Sequence, residues 1–198
     1  MKASISETIV TRRTSKTSLT TEIPVELIYN LLEKASYAPF HGKTEPWLAK
    51  IVTTDTEKQW LYQRIIASYE RNQIIKDAQS RERMTTKMTR LILNSPATIL
   101  FAHEVFPDDQ RKNYDAIEAT AALIQNFSLV AWEEDLVGFW ATSPFILDPI
   151  LTNELGFPLN YELMTNYRLG YRDLEQPIKT AQRQPIHNWA TPLVPLAE

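Results

Sequence analysis

The stretch NYDAIEATAALIQNFSLVAWEEDLVGFWAT, residues 113–142, holds the clearest helix of the chain and, directly after it, a strand. One stripe of the helix recurs at steps of three or four residues, which is the spacing of a single helix face: Ile117, Ala121, Ile124 and Ser128. The alanines beside this stripe would let another backbone approach closely. The segment VGFWAT at residues 137–142 is typical of a strand. A domain that mixes helices and strands is therefore predicted.

Helices and strands also alternate along the rest of the chain. Helical patterns cover three stretches: residues 23–39, 57–93 and 143–155. The second of these is predicted to break once, between Glu70 and Arg83. Strand patterns cover three more: residues 47–54, 96–104 and 166–173. The chain has four glycines and neither a GxGxxG nor a GxxxxGKS/T motif, so the two common nucleotide-binding folds are disfavoured and an α+β fold is predicted.

The chain length of 198 residues fits one domain, which we place at residues 1–198. The C-terminal tail, from about residue 176 to 198, contains prolines that disfavour regular structure: Pro177, Pro185, Pro192 and Pro195. It also keeps large apolar residues: Ile178, Ile186, Trp189 and Leu193. We therefore expect the tail to cover another surface.

Composition excludes several function classes. The chain has no cysteine, so disulfides, thiolate nucleophiles and iron–sulfur ligation are excluded. A net charge of −3 argues against broad affinity for nucleic acid. The sequence shows neither a secretory signal nor an apolar run of the roughly 18 residues that a membrane helix needs, so we expect a cytoplasmic protein without a membrane segment. The three histidines share no ligand spacing and no GxSxG motif occurs, so we expect no metal site and assign no catalytic side chain.

Three cations stand within five positions in TRRTSKTSL, residues 11–19: Arg12, Arg13 and Lys16. Arginine presents a planar fork that suits phosphate, and the hydroxyl of Thr14 can complete the same cradle. The cluster is local in a mildly acidic chain, which favours a small anionic ligand. The alternative is a solvated basic arm.

Two further stretches are candidate ligand contacts. SYAPFHGKTEPW, residues 36–47, would present His41 and backbone groups from a rigid loop, or else be a plain connection with an exposed histidine. VGFWATSPF, residues 137–145, ends a strand at the start of a helix, where backbone N–H groups can point toward an electron-rich ligand. The alternative there is a buried strand that meets its helix.

The order of these motifs resembles the FMN-dependent nitroreductase family. The run comprises the RRT cluster, the AP…PW loop, SPATILF, GFW, ELGFP, LGY and RQP, and it extends from about Ile9 to Ile186. The resemblance implies a nitroreductase-like fold, with a central mixed, mainly antiparallel sheet flanked by helices. It also implies an interlocked homodimer with each FMN site at the dimer interface, and a C-terminal tail that wraps the partner subunit.

The resemblance further implies a set of cofactor-binding residues. By position, Arg12 would pair with the FMN phosphate, Arg13 and Thr14 would complete this grip, and Lys16 would lie near the pyrimidine edge of the ring. The loop from the partner subunit would contribute four residues: Tyr37, Pro39, Phe40 and His41. The segment behind the ring, where a backbone N–H is offered to the flavin N5, would be Trp140, Ala141 and Thr142. Arg183 would return to the phosphate.

The implied activity is hydride transfer from NADPH or NADH to FMN and onward, by a ping-pong route, to a nitroaromatic, quinone-like or other small electrophilic acceptor.

The loop at residues 36–47 departs from the common pattern of the family: Phe40, Lys43 and Glu45 stand where many members have Ser, Asn and Gln. The histidine at position 41 matches a compact subgroup of the family. Residues 57–93 match the family only loosely, so the resemblance assigns no site residue among them. Three alternatives stay open: an FMN store or sensor without turnover, a member with specialised chemistry such as reductive dehalogenation or flavin destruction, and a chain that binds a nucleotide or protein partner instead of flavin.

Overall fold

Four antiparallel strands form the sheet at the centre of the computed structural model, which describes residues 4–178 and 180–193. The strands are β1 (Trp47–Val52), β2 (Ala97–Glu104), β3 (Leu136–Ala141) and β4 (Tyr161–Tyr171). They pair in the order β1-β2-β4-β3, so β2 and β4 are central and β1 and β3 are the edges. Every pairing between these strands is antiparallel, and one isolated bridge, between Thr14 and Gly138, is parallel.

Helices cover both faces of this sheet. They are α1 (Ile5–Thr11), α2 (Val25–Ala35), α3 (Asp55–Arg71), α4 (Ala78–Met88), α5 (Gln110–Glu133) and α6 (Pro149–Glu154). A π-helical segment, Thr89–Leu93, continues α4, and 3-10 turns occupy Pro144–Leu147 and Ile186–Asn188. No helix in the described part of the chain is long and apolar enough to cross a membrane.

Alternation along the strands divides the core into two layers, because successive side chains point to opposite faces of a sheet. Ile99, Phe101 and Tyr167 pack with α2 and α5 on one face. Leu100 and Ala102, the neighbours of those β2 residues, pack with α3, the π-helical segment and α6 on the other face. The result is a three-layer α+β arrangement in which β2 is buried along almost its whole length.

The elements predicted from the sequence are present, with differences at their edges. The long helical stretch breaks between Arg71 and Ala78, inside the predicted interval. The helix predicted at 143–155 is divided into a 3-10 turn and α6. Asp148 stands between them in an extended conformation, where it ends the turn and caps the start of α6. Strand β4 begins at Tyr161, five residues before the predicted start. Of the stripe predicted on α5, Ile124 and Ser128 are buried and Ile117 is exposed in the single chain.

A buried carboxylate, that of Asp148, ties α3 to the start of α6. Its side chain is 3% exposed and accepts hydrogen bonds from the side chains of three residues: Ser68 (2.6 Å), Arg71 (2.6 Å) and Asn72 (2.9 Å). It also caps α6 by accepting from the backbone N–H groups of Ile150 at 3.0 Å and Leu151 at 3.3 Å. Burial alone would raise the pKa of Asp148, but the hydrogen bonds and the charge of Arg71 outweigh it and hold this pKa below its usual value.

We expect Asp148→Ala to lower the free energy of unfolding by about 3 kcal/mol, because it leaves Arg71 and several donors without their acceptor. Urea unfolding would measure the loss. Glu70→Gln is the matched control: it breaks the exposed ion pair of Glu70 with Arg81 and should cost at most about 1 kcal/mol. Because the native pKa is depressed, the stabilisation is complete above about pH 4 and is lost as the pH falls further. Equal losses in the two variants would contradict this role for Asp148.

Candidate functional site

Residues 12–19, here called the N-terminal arm, run from the end of α1 across the end of the sheet. Helix α1 is closed at its start by a capping box between Ser4 and Glu7 and ends where Arg12 turns to an extended conformation. The backbone N–H of Ser15 donates to the carbonyl of Gly138 at 3.0 Å, and that of Leu19 donates to the carbonyl of Tyr171 at 2.9 Å. The arm is therefore attached both to the edge strand β3 and to the end of β4.

Two glycines let the chain pack closely at this end of the sheet. A Cβ atom at Gly170 would overlap the side chain of Ser18, so the arm lies directly on the β4 backbone. A Cβ atom at Gly138 would overlap the ring of Tyr167, whose hydroxyl donates to Ser128 Oγ on α5 at 3.1 Å. Both glycines are thus required by contact with a neighbouring side chain.

A cavity of about 530 Å³ lies beside the arm. It is lined on one side by the arm from Arg13 to Leu19 and on the other by Trp132, Arg172 and the start of the tail, Gln176–Ile178. Arg172 stacks over the Trp132 ring at 4.9 Å from its centroid and pairs with Asp135 at 2.7 Å. Three of the residues predicted to bind a cofactor, Arg13, Thr14 and Lys16, are brought together in this lining.

The three predicted cations of the arm have different neighbours. The Lys16 ammonium lies 5.3 Å from the centre of the Phe139 ring. Arg13 donates through Nη1 to the carbonyls of Val10 and Arg12, both at 2.7 Å. Burial raises the pKa of Tyr167, while its hydrogen bond with Ser128 and the charge of half-buried Arg12 oppose that rise. Arg12 is not among the residues that line the cavity.

The loop predicted to reach a second subunit is exposed in the single chain. Tyr37 is 86% exposed, and Pro39 and His41 are exposed as well. Phe40 is fixed by an edge-to-face contact with Trp47, at 5.4 Å between ring centres. None of these loop residues lines the cavity beside the arm.

The remaining predicted residues also lie outside the cavity lining. Trp140 and Ala141 end β3, where the carbonyl of Ala141 accepts from Thr165 Oγ1 at 2.7 Å, and Thr142 is exposed. Arg183 is exposed in the tail, and its Nη1 donates to the carbonyl of Gln182 at 3.0 Å. The tail prediction also covers Lys179 and residues 194–198, which lie outside the described residues.

Sequence reasoning missed the cavity wall opposite the arm. Arg172 and Trp132 stand 40 residues apart in the chain and meet only because β3 and β4 pair antiparallel between them. The position of Arg172 directly after the LGY strand end was the available signal. Within the described ranges, no group of three His, Asp or Glu side chains is arranged to hold a metal ion.

Comparison with known proteins shows the family. The model of the nitroreductase family matches residues 9–171, so the chain belongs to that family. YfhC of Bacillus subtilis, whose name as an NAD(P)H nitroreductase is provisional, is 29% identical over 84% of this chain and 82% of its own length. An iodotyrosine dehalogenase 1 homologue of Caenorhabditis elegans is 23% identical over 89% of this chain, which spans 57% of that relative.

Solved structures share the whole fold. A nitroreductase-like family protein from Bacillus cereus superposes with a TM-score of 0.85 at 24% identity, covering 98% of this chain and 97% of its own. A nitroreductase from Bacteroides fragilis, solved with bound FMN, gives a TM-score of 0.73 at 22% identity and covers 97% of this chain and 100% of its own. The predicted α+β nitroreductase-like fold is therefore confirmed.

We expect Gly170→Ala to displace the arm, because the added methyl group occupies the space of the Ser18 side chain. The overlap should make local opening of the arm roughly tenfold more frequent, which hydrogen exchange at the Leu19 amide would measure. The double variant Gly170→Ala with Ser18→Gly removes the overlap and should restore slow exchange. Unchanged exchange in the single variant would show that the arm does not depend on this contact.

Proposed function

We propose that the chain is an FMN-dependent oxidoreductase that takes hydride from NADPH or NADH and passes it to a small electrophilic acceptor. The observation that carries the proposal is the cavity of about 530 Å³ lined by Arg13, Thr14 and Lys16, in a chain of the nitroreductase family. The FMN in the Bacteroides fragilis structure and the NAD(P)H in the name of the Bacillus subtilis relative support the cofactor and the reductant.

The residues of the arm fit a flavin mononucleotide. The cavity is of the size that small-molecule sites usually have, about 300–1,000 Å³. Arg13 and Thr14, which line the cavity, would hold the phosphate, and Arg12 and Arg183, which lie outside the lining in the single chain, would join them. Lys16 would face the pyrimidine edge, and the backbone of Trp140, Ala141 and Thr142 would lie behind the ring.

FMN supplies hydride acceptance and donation, so the protein's task is to position the ring and to set its electrostatic surroundings. Lys16 supplies a fixed positive charge close to Phe139. The backbone N–H of Thr142, directly after β3, would orient the ring by donating to it. Reductant and acceptor would use the same open face in turn, which is a ping-pong route and needs no acidic or basic side chain of the protein. Nitroaromatic and quinone-like compounds are the proposed acceptors.

We further propose that two copies of the chain build each site. The loop residues Tyr37, Pro39, Phe40 and His41 lie away from the cavity of their own chain, and the exposed Tyr37 is free to cover the flavin of a partner. Large apolar side chains are exposed on two helices and in the tail: Ile5, Ile9, Tyr114, Ile117, Ile178, Ile186 and Trp189. A second copy would bury them, with the tail of the domain 1–198 wrapped around its partner. A monomeric mass at micromolar concentration would contradict this dimer.

Reductive dehalogenation of a halogenated phenol is a second candidate function. It is favoured by the similarity to the iodotyrosine dehalogenase homologue, of which this chain spans little more than half. A halogenated tyrosine and a nitroaromatic compound, offered to the reduced protein in parallel, distinguish the two acceptors. Dehalogenation would be favoured if the halogenated tyrosine, but not the nitroaromatic compound, reoxidises the reduced protein quickly and halide is released.

The visible spectrum of the purified protein under anaerobic conditions tests the proposal. We expect a yellow protein with about one FMN per chain, whose absorbance is lost within seconds of adding NADPH or NADH and returns with a nitroaromatic or quinone. A flavin that stays oxidised in the presence of both reductants would indicate an FMN store or sensor. A colourless protein that does not bind added FMN would contradict the proposal altogether.

We expect Arg12→Ala to weaken FMN binding by about 10- to 100-fold, because one charge-assisted hydrogen bond to a phosphate contributes about 1.5–3 kcal/mol. Titration of the FMN-free variant with FMN, followed by fluorescence quenching, measures the change. Arg111→Ala is the matched control, since Arg111 is exposed at the start of α5 and its removal makes the same change in net charge. An Arg12→Ala protein that binds FMN as tightly as the wild type does in this titration would refute the assignment.

A further inference from the structure

A row of polar side chains lies buried on the sheet, on the face that carries α3 and the π-helical segment. Arg168 of β4 stands opposite Thr98 of β2 on one side and opposite Phe139 of β3 on the other. Asn166, two residues earlier on β4, is on the same face. Their side chains are almost fully buried: Thr98 is 1%, Asn166 0% and Arg168 5% exposed.

These buried groups lack the hydrogen-bond partners that such groups normally have. Thr98 Oγ1, both amide atoms of Asn166 and Arg168 Nε are enclosed and make no hydrogen bond with the described residues. Arg168 Nη2 reaches the carbonyl of Asn94, but only at 3.5 Å. A buried polar group without a partner is costly, so a natural fold rarely keeps several of them together without a functional reason.

The charge of Arg168 is also uncompensated. Among the described residues, none of the ion pairs includes Arg168. Burial, and after it the nearby positive charge of Arg90 from the π-helical segment, lowers the pKa of Arg168. Breaking or omitting the partner of a buried charge is strongly destabilising, whereas an apolar residue of similar volume is often neutral or better. A methionine or leucine would therefore suit this position better if folding were its only task.

The position of Arg168 connects it to the proposed flavin site. Phe139, its direct cross-strand neighbour, is the ring over which the Lys16 ammonium lies. Gly170, the next β4 residue on the same face, is the one covered by Ser18 of the arm. Arg168 thus lies on the same face of the sheet as Phe139 and Gly170, the two strand residues against which Lys16 and Ser18 of the arm lie. Because the sheet excludes water there, the field of its charge is weakly screened.

We propose that Arg168 is an electrostatic residue of the flavin site: a buried cation, with no counter-ion among the described residues, that favours the more negatively charged reduced state of the bound cofactor. This inference rests on the proposed function. It adds to Lys16 a second cation, one held inside the sheet rather than on its surface. The unpaired charge of Arg168 has a physical reason in this account, since the cofactor supplies the negative charge that the chain does not.

The test is the midpoint potential of the FMN-loaded protein, measured by anaerobic titration against a reference dye, in the wild type and in Arg168→Met, Arg168→Gln and Arg168→Lys. A unit charge about 10 Å away in a medium of effective dielectric about 20 changes the preference for the reduced state roughly tenfold. For a two-electron couple, a tenfold change lowers the potential by about 30 mV. We expect that shift in the methionine and glutamine variants, and little shift in the lysine variant, which keeps the charge.

A second measurement separates an electrostatic role from a structural one. Thermal unfolding of the FMN-free proteins should show Arg168→Met at the melting temperature of the wild type or above it, because the methionine removes an unpaired buried charge. Arg111→Gln, an exposed site with the same charge change, should alter neither the potential nor the melting temperature. An unchanged potential in Arg168→Met and Arg168→Gln would overturn the inference while leaving the proposed function intact. A wild-type protein that binds no FMN would overturn both.

Discussion

Two backbone hydrogen bonds, from Ser15 to Gly138 and from Leu19 to Tyr171, fasten the N-terminal arm to the sheet, and the candidate site depends on them. They fix both ends of the short segment that carries Lys16, and Arg12 and Arg13 directly precede that segment. A cation on a fixed backbone loses less conformational freedom when it binds an anion than one on a flexible arm. The same attachment closes one wall of the cavity. The glycines at 138 and 170 are part of this arrangement, since larger residues would separate the packed surfaces.

Charge in this protein is local rather than global. The chain has a net charge of −3, yet Arg13 and Lys16 line one cavity, and the buried Arg168 is the cross-strand neighbour of Phe139, over which Lys16 lies. Such an arrangement favours one small anion over a polyanion, because a chain with a net negative charge does not attract extended negative partners. It would also separate two proposed roles: half-buried arginines on the arm would hold a phosphate, while a buried cation would act on the ring through its field. In the proposed function the flavin would supply the chemistry, and the fold fixes the positions of these charges.

Much of the fold could be predicted because periodicity is a local property. Helix α5, strand β2 and the break after Arg71 follow from spacing and turn residues alone. Helix α1 was missed although Ser4 and Glu7 form a capping box, since its seven residues give too short a pattern. Within the candidate site, the cation cluster of the arm could be predicted from the sequence, because its residue types and close spacing are visible there. Trp132 and Arg168 could not, because their roles arise from strand pairing and burial, and Arg172 was marked only by its position directly after the LGY strand end.

The most direct measurement is a crystal structure of the protein with FMN bound. We expect the phosphate within hydrogen-bonding distance of Arg12 and Arg183, in a cleft that two copies of the chain form jointly, with the ring beside Lys16 and under the loop of the partner. A phosphate far from both arginines, or a flavin enclosed by one chain alone, would contradict the account.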